Sequence, residues 1–248
     1  MRRLIRGDLK RILRKISIII IFILIFLYVF VRVSLEYAVY SIPFLAVKEM
    51  MLSLNNVSLV LGLMIYTVIY SDDFKSMSYV TAIGRGISRT KIILAKLCDI
   101  VILTIVFYGI IAVTMSAFLK FMGCEFNHTL ATAWCMSFVT SIYKTIGYIA
   151  LASMILYITN NIPISTIVLI ILYVVVPFSG QILSFNKTLR ALHLERFHYA
   201  GLADNAMTDF MYGSDTVGII KMLAGLIIYM GTVLLVTGVL FDKKELEF

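Results

Sequence analysis

Few residues in this chain combine a reactive type with a place where chemistry could follow. Lys144 stands near the centre of the apolar run LATAWCMSFVTSIYKTIGYIALASMILY. Helical spacing puts Ser137, Ser141 and Tyr148 on the face of that lysine, with Thr140 and Thr145 beside the stripe. Asp99 lies in a second apolar run, three residues after Lys96, and Arg32 and Glu36 lie four apart in a third. A charge in hydrocarbon costs several kcal/mol unless it meets water or protein, so each of these groups needs a partner or a role. For Lys144 two uses stay open: lining a substrate path or subunit interface, or pairing with Asp99. Asp99 has a second candidate in Lys96, one turn away, with the lysine reaching for the membrane surface. Arg32 and Glu36 are expected to pair within their helix.

Other chemistry is missing. There is no GxxxxGK[ST], and Gly84-Arg85-Gly86 lacks the spacing and the preceding strand of a phosphate cradle. There is no HExxH. His193 and His198 are five apart, which does not fit a helical zinc site. Cys98, Cys124 and Cys135 form no CxxC and are odd in number, so they are expected to be small apolar fillers. No catalytic residue, metal ligand or bound cofactor is expected in this chain. Asn127-His-Thr and Asn186-Lys-Thr fit the glycosylation pattern, which is weak evidence by itself.

The elements that must hold these residues are helices in lipid. Of 248 residues, 61 % are hydrophobic and 15 % charged, and the mean hydropathy is +0.98. Soluble domains carry roughly a quarter charged residues. Crossing a hydrocarbon core takes roughly 20 helical residues, and six runs qualify, near 16–39, 53–70, 92–119, 130–157, 162–183 and 217–241. They are too long for barrel strands and lack the period of two. The expected fold is therefore all-α, a polytopic membrane protein with six transmembrane helices in a single domain over 1–248. The first run follows a basic start but is too long for a signal peptide and has no clear cleavage site, so it reads as an uncleaved helix.

Charge placement sets the expected orientation. Seven of the 22 Lys and Arg precede the first run, and Lys75, Arg85, Arg89 and Lys91 lie between the second and third. Under the positive-inside rule both segments are cytoplasmic, as is the tail. The net charge of +8 then reads as a topology signal with anionic membrane lipid as partner, and not as nucleic-acid binding. Within residues 1–15, Leu4, Ile5, Leu9, Ile12 and Leu13 share one face, which predicts an interfacial amphipathic helix with its apolar side among acyl chains. The exterior segment near 184–216 has mixed charge and few breakers, so one or two short helices are expected at the outer interface. Pro177 is expected to bend the fifth helix before it.

The largest cytoplasmic loop reads SDDFKSMSYVTAIGRGISRTKIILAK, residues 71–96. Phe74, Met77, Val80, Ile83 and Ile87 recur at a near-helical spacing. Asp72 and Asp73 are placed to complement a helix N-terminus. A short amphipathic helix is therefore predicted over about 73–84, ended by Gly84 and Gly86.

The acid pair, the aromatic, the short helix and the following GRGISRTKIILAK resemble the permeases of ABC-2 type transporters, especially short six-span permeases of antimicrobial-peptide exporters. Layout resembles that family along the whole chain, the motif over about 25 residues. Gly86 departs from it, since many relatives have proline there. The resemblance implies a non-catalytic permease subunit of an ATP-driven exporter in a cell membrane, with ATP and Mg held by separate ATP-binding subunits. It also implies a second permease subunit, identical or related. By position, Asp72 or Asp73 matches the family acid, Phe74 the aromatic, and Arg89, Lys91 and Lys96 the basic positions. Contacts with the ATPase are expected from Asp72, Asp73, Phe74, Met77, Val80, Arg85 and Arg89. A hydrophobic or amphipathic peptide is the expected substrate, with lipids and drugs as neighbours. The competing class is an ion-coupled transporter or channel without an ATPase, in which Lys144 and Asp99 would couple to protons.

Overall fold

A computed structural model of the chain describes residues 2–40, 43–121, 123, 127–185, 199–213 and 216–242. Secondary structure among them is helical, without strands. In chain order the helices are α1 (Arg2–Ile12), α2 (Ile16–Tyr40), α3 (Pro43–Lys75), α4 (Ser78–Gly84), α5 (Arg89–Phe121), α6 (His128–Thr159), α7 (Ile162–Phe185), α8 (Tyr199–Gly213) and α9 (Val217–Asp242).

Five of these, α2, α3, α5, α6 and α9, are long and apolar enough to cross a membrane. Six were expected from the sequence. In α7 the described apolar stretch, Ile162–Val176, is shorter than a span, although the helix itself runs on through Pro177 to Phe185.

Two helices form the centre. The spanning windows of α3 and α6 are each 67% buried, against 22% for α2 and 17% for α9. α3 touches α2, α5, α6 and α7, and α6 touches α3, α5, α7, α8 and α9. Lipid tails are as apolar as leucine, so such helices associate through packing and hydrogen bonds. Both occur here. Tyr108 of α5 donates to Ser58 of α3 at 2.7 Å and lies 2.9 Å from the Thr145 hydroxyl of α6, to which Tyr173 of α7 also donates. Tyr66 of α3 is hydrogen-bonded to Ser165 of α7.

The expected helix over 73–84 is divided differently. α3 continues to Lys75, and Met77 (φ 49°) breaks the chain in the left-handed region before α4 starts at Ser78. Asp72 and Asp73 thus occupy the last turn of α3 and do not start the short helix. Acids there oppose the negative end of the helix dipole and need cations from elsewhere.

α4 ends in a Schellman motif: Gly86 N–H donates to Ile83 C=O and Ile87 N–H to Ala82 C=O, at 2.9 and 3.1 Å. Gly86 has φ +85°. Proline, held near −65°, cannot adopt it, so this turn differs from one that carries proline. Gly86→Ala should lower stability by about 1 kcal/mol, read as a drop in thermal midpoint of the purified protein in detergent. An unchanged midpoint would mean that the turn does not need φ > 0.

Candidate functional site

At the basic end of the bundle, six charged side chains from α1, its following turn, α3 and α5 meet. Arg11 of α1 donates to Asp73 of α3 at 2.7 Å and lies 3.5 Å from Asp8. Lys96 of α5 reaches Asp8 at 2.6 Å and also pairs with Asp73. Lys15 pairs with Asp72 at 2.7 Å. Ser78 opens α4 with its hydroxyl 3.1 Å from Asp73. Side-chain exposure is 6% for Lys96 and 8% for Asp73, so the pair is screened very little. The hydrogen bond to Asp73 pushes the Arg11 guanidinium above its ordinary value, against an opposing effect of burial. Asp73 is the hub, because α1, α4 and α5 all reach it.

Beside this ionic clasp lies an aromatic floor. Phe74 stacks on Tyr79 of α4 at 4.6 Å and meets Tyr157 of α6 edge-on at 5.5 Å. Tyr157 in turn lies 5.1 Å from Phe241 at the end of α9. Burial pushes the Tyr79 phenol up, which keeps it neutral. Arg89, at the start of α5, sits 5.2 Å over the Phe241 ring and donates to the Phe241 carbonyl. It thereby places a cation at the negative end of α9.

Residues proposed for ATPase contact therefore divide. Met77 is 60% exposed and Arg85 is exposed. Phe74 and Val80 are half-buried against the core, Asp73 is enclosed in the clasp and Arg89 is tied to α9. Asp8, Arg11 and Lys15 were not singled out by the sequence. The available signal was Asp8, the one acid among seven bases in residues 1–15.

The pairings considered for Asp99 do not form. Lys96 turns to Asp8 and Asp73, and Lys144 pairs with Asp204 of α8 at 2.6 Å. Asp99 is fully buried, and its carboxylate oxygens accept no hydrogen bond among the described residues. The partner of Arg32 proposed from sequence, the Glu36 side chain, lies outside the described residues, as do His193 and His198. Among the described residues no group of three His, Cys, Asp or Glu could hold a metal.

Around Lys144 the hydroxyl stripe is internal. Ser137, Thr140 and Ser141 donate back to carbonyls of α6, and Tyr148 is buried edge-on against Tyr173 at 4.7 Å. α8 was expected at the outer interface but packs between α6 and α9. Its first residue, Tyr199, stacks on Tyr143 at 4.2 Å, donates to the Tyr143 carbonyl at 2.6 Å and meets Tyr229 of α9 at 4.7 Å. The Tyr199 ring lies directly against Gly147, where a Cβ would overlap it. α8 and α9 thus form a hairpin whose first member begins about halfway along its neighbours.

A groove of about 740 Å³ opens between the end of α3 and the turn joining α6 to α7, lined by Thr67, Ser71, Phe74, Lys75, Asn160 and Thr166 among others. It adjoins the aromatic floor through Phe74 and is amphipathic. No protein family, curated protein or solved structure matches this chain.

Lys96→Met leaves Asp8 and Asp73 facing each other with one cation fewer and should cost about 3 kcal/mol. Asp73→Asn in the same chain should recover part of the loss in thermal unfolding. Simple additivity of the two variants would argue that the charges do not interact.

Proposed function

We propose that this chain is the permease subunit of an ATP-driven exporter of the ABC-2 type, acting with separate ATP-binding subunits and a second permease in a cell membrane. One observation carries the reading. α4 lies between α3 and α5 at the basic end, presents Met77, Thr81 and Arg85 outward, and is fastened inward through Ser78 to Asp73 and through Tyr79 to Phe74. A push on α4 is then passed to α3, to α1 and α5 through the clasp, and to α9 through Tyr79, Phe241 and Arg89. That is the mechanical requirement for a coupling helix. ATP and Mg belong to the partner ATPase, and this chain contributes no catalytic group.

The substrate we propose is a hydrophobic or amphipathic peptide, with lipid or drug as the neighbouring possibilities. The amphipathic groove beside Phe74 supports this class, since its mixed lining suits a molecule with both polar and apolar faces. Orientation follows from the charge rule: both termini and α4 cytoplasmic.

The test is co-purification from native membranes. An ATP-binding protein should accompany the wild-type chain, and Met77→Glu, which adds a charge to an exposed contact, should reduce the captured ATPase about tenfold or more without changing membrane insertion. Full capture by Met77→Glu together with Arg85→Glu would exclude α4 as the coupling element. Stimulation of the reconstituted ATPase by lipid but not by any amphipathic peptide would exclude the peptide assignment.

A further inference from the structure

We infer that the outward face of α1 is a binding surface for anionic phospholipid headgroups, carried by Arg6, Lys10 and Arg14. This inference does not depend on the exporter reading.

The structure sorts the charges of α1 and its following turn into two sets. Asp8, Arg11 and Lys15, spaced three and four apart, turn inward to Lys96, Asp73 and Asp72. Leu9 and Ile12 accompany them against the bundle, and Ile12 is fully buried. This differs from the expectation that the apolar side would lie among acyl chains. It leaves Arg6, Lys10 and Arg14 exposed on the other side, with no ion-pair partner among the described residues. The single acid of this segment is consumed internally, so the outward described charges are uniformly positive.

The apolar residues on the same rim choose the occupant. Leu13 is 57% exposed and Ile16 71%. From Ile16 the exposed stripe continues along α2 through Ile20, Ile23 and Leu27, at steps of four, three and four. Ile23 also lines an apolar groove of about 220 Å³ between α2 and α5. Its first lining residue, Phe22, lies about 9 Å along the helix from Ile16, within the length of an acyl chain whose headgroup sits at Arg14. Cations at headgroup depth that pass without a break into an apolar stripe match a charged lipid. An acidic protein surface would satisfy the cations but leave Leu13 and Ile16 without a counterpart.

The charge of the headgroup, not its size, is what three separate cations select. Each basic residue near an anionic surface is worth about a fivefold change in association. Arg11 and Lys15 should contribute nothing to it, because their charges are already paired.

The experiment uses the full chain reconstituted in phosphatidylcholine vesicles, with spin-labelled phosphatidylglycerol or phosphatidylcholine as probe. The wild type should bind the phosphatidylglycerol probe several-fold more strongly than the phosphatidylcholine probe. Arg6→Gln, Lys10→Gln and Arg14→Gln together should bring the ratio to about one. Arg6→Lys with Arg14→Lys should keep the preference, and so should Lys120→Gln at the opposite end of α5. Thermal unfolding of each variant shows that it is folded. Inorganic phosphate should not displace the lipid probe; displacement would mean a free-anion site and overturn the proposal. An unchanged lipid ratio in the triple variant also overturns it, and if that variant at the same time loses capture of an acidic protein, the face belongs to that protein.

Discussion

The arrangement at the basic end follows from one constraint: a carboxylate that stays charged out of water must be matched by cations. Asp73 stands at the negative end of α3 with little exposure, where its own helix opposes it. Arg11 and Lys96 supply the compensation, and because they come from α1 and α5, neutralising one side chain joins three helices. Breaking one member of such a group costs far more than an exposed ion pair is worth. The aromatic floor extends the same end to α6 and α9, so the short helix α4 rests on a surface shared by most of the bundle.

Deeper in the molecule hydroxyls take over from charges. Tyr108, Ser58, Thr145 and Tyr173 connect α3, α5, α6 and α7 at a depth where water is scarce. Neutral donors carry a smaller desolvation cost than ions, which suits a region that joins helices side by side. Small residues allow the remaining close contacts: Gly147 admits Tyr199, and Gly225 lies against Leu202.

The long helices were readable because length and apolarity alone decide them in lipid, and their observed ends lie near those expected for α2, α5, α6 and α9. The clasp was only half readable. Asp73, Lys96 and Asp99 stood out as charges, but Lys96 was matched with Asp99 one turn away and Asp73 with the start of the short helix, whereas Arg11 lies 62 positions from Asp73 and Asp8 lies 88 from Lys96. Period and spacing report local neighbours and carry nothing about such distances. The break at Met77 left no signal either, since a methionine in the left-handed region is uncommon and is imposed by its surroundings. α8 did leave one: Ala200, Ala203 and Ala206 at steps of three form a small-residue face, and all three are buried. Reading the segment by its charges, as an outer-interface element, concealed the face that packs.

The contact between Arg89 and Phe241 spans 152 positions, and this has a consequence for the order of assembly. A chain made from its N-terminus can complete the clasp once Lys96 has emerged, so α1, α3 and α5 can settle together early. The floor cannot close at that time, because Tyr79, Tyr157 and Arg89 wait for a ring that arrives with the last turn of α9. Until then the basic end stays open on one side, and α4 lacks part of the surface it leans on. The end of the last helix thus serves as the keystone of an element encoded in the first third of the chain.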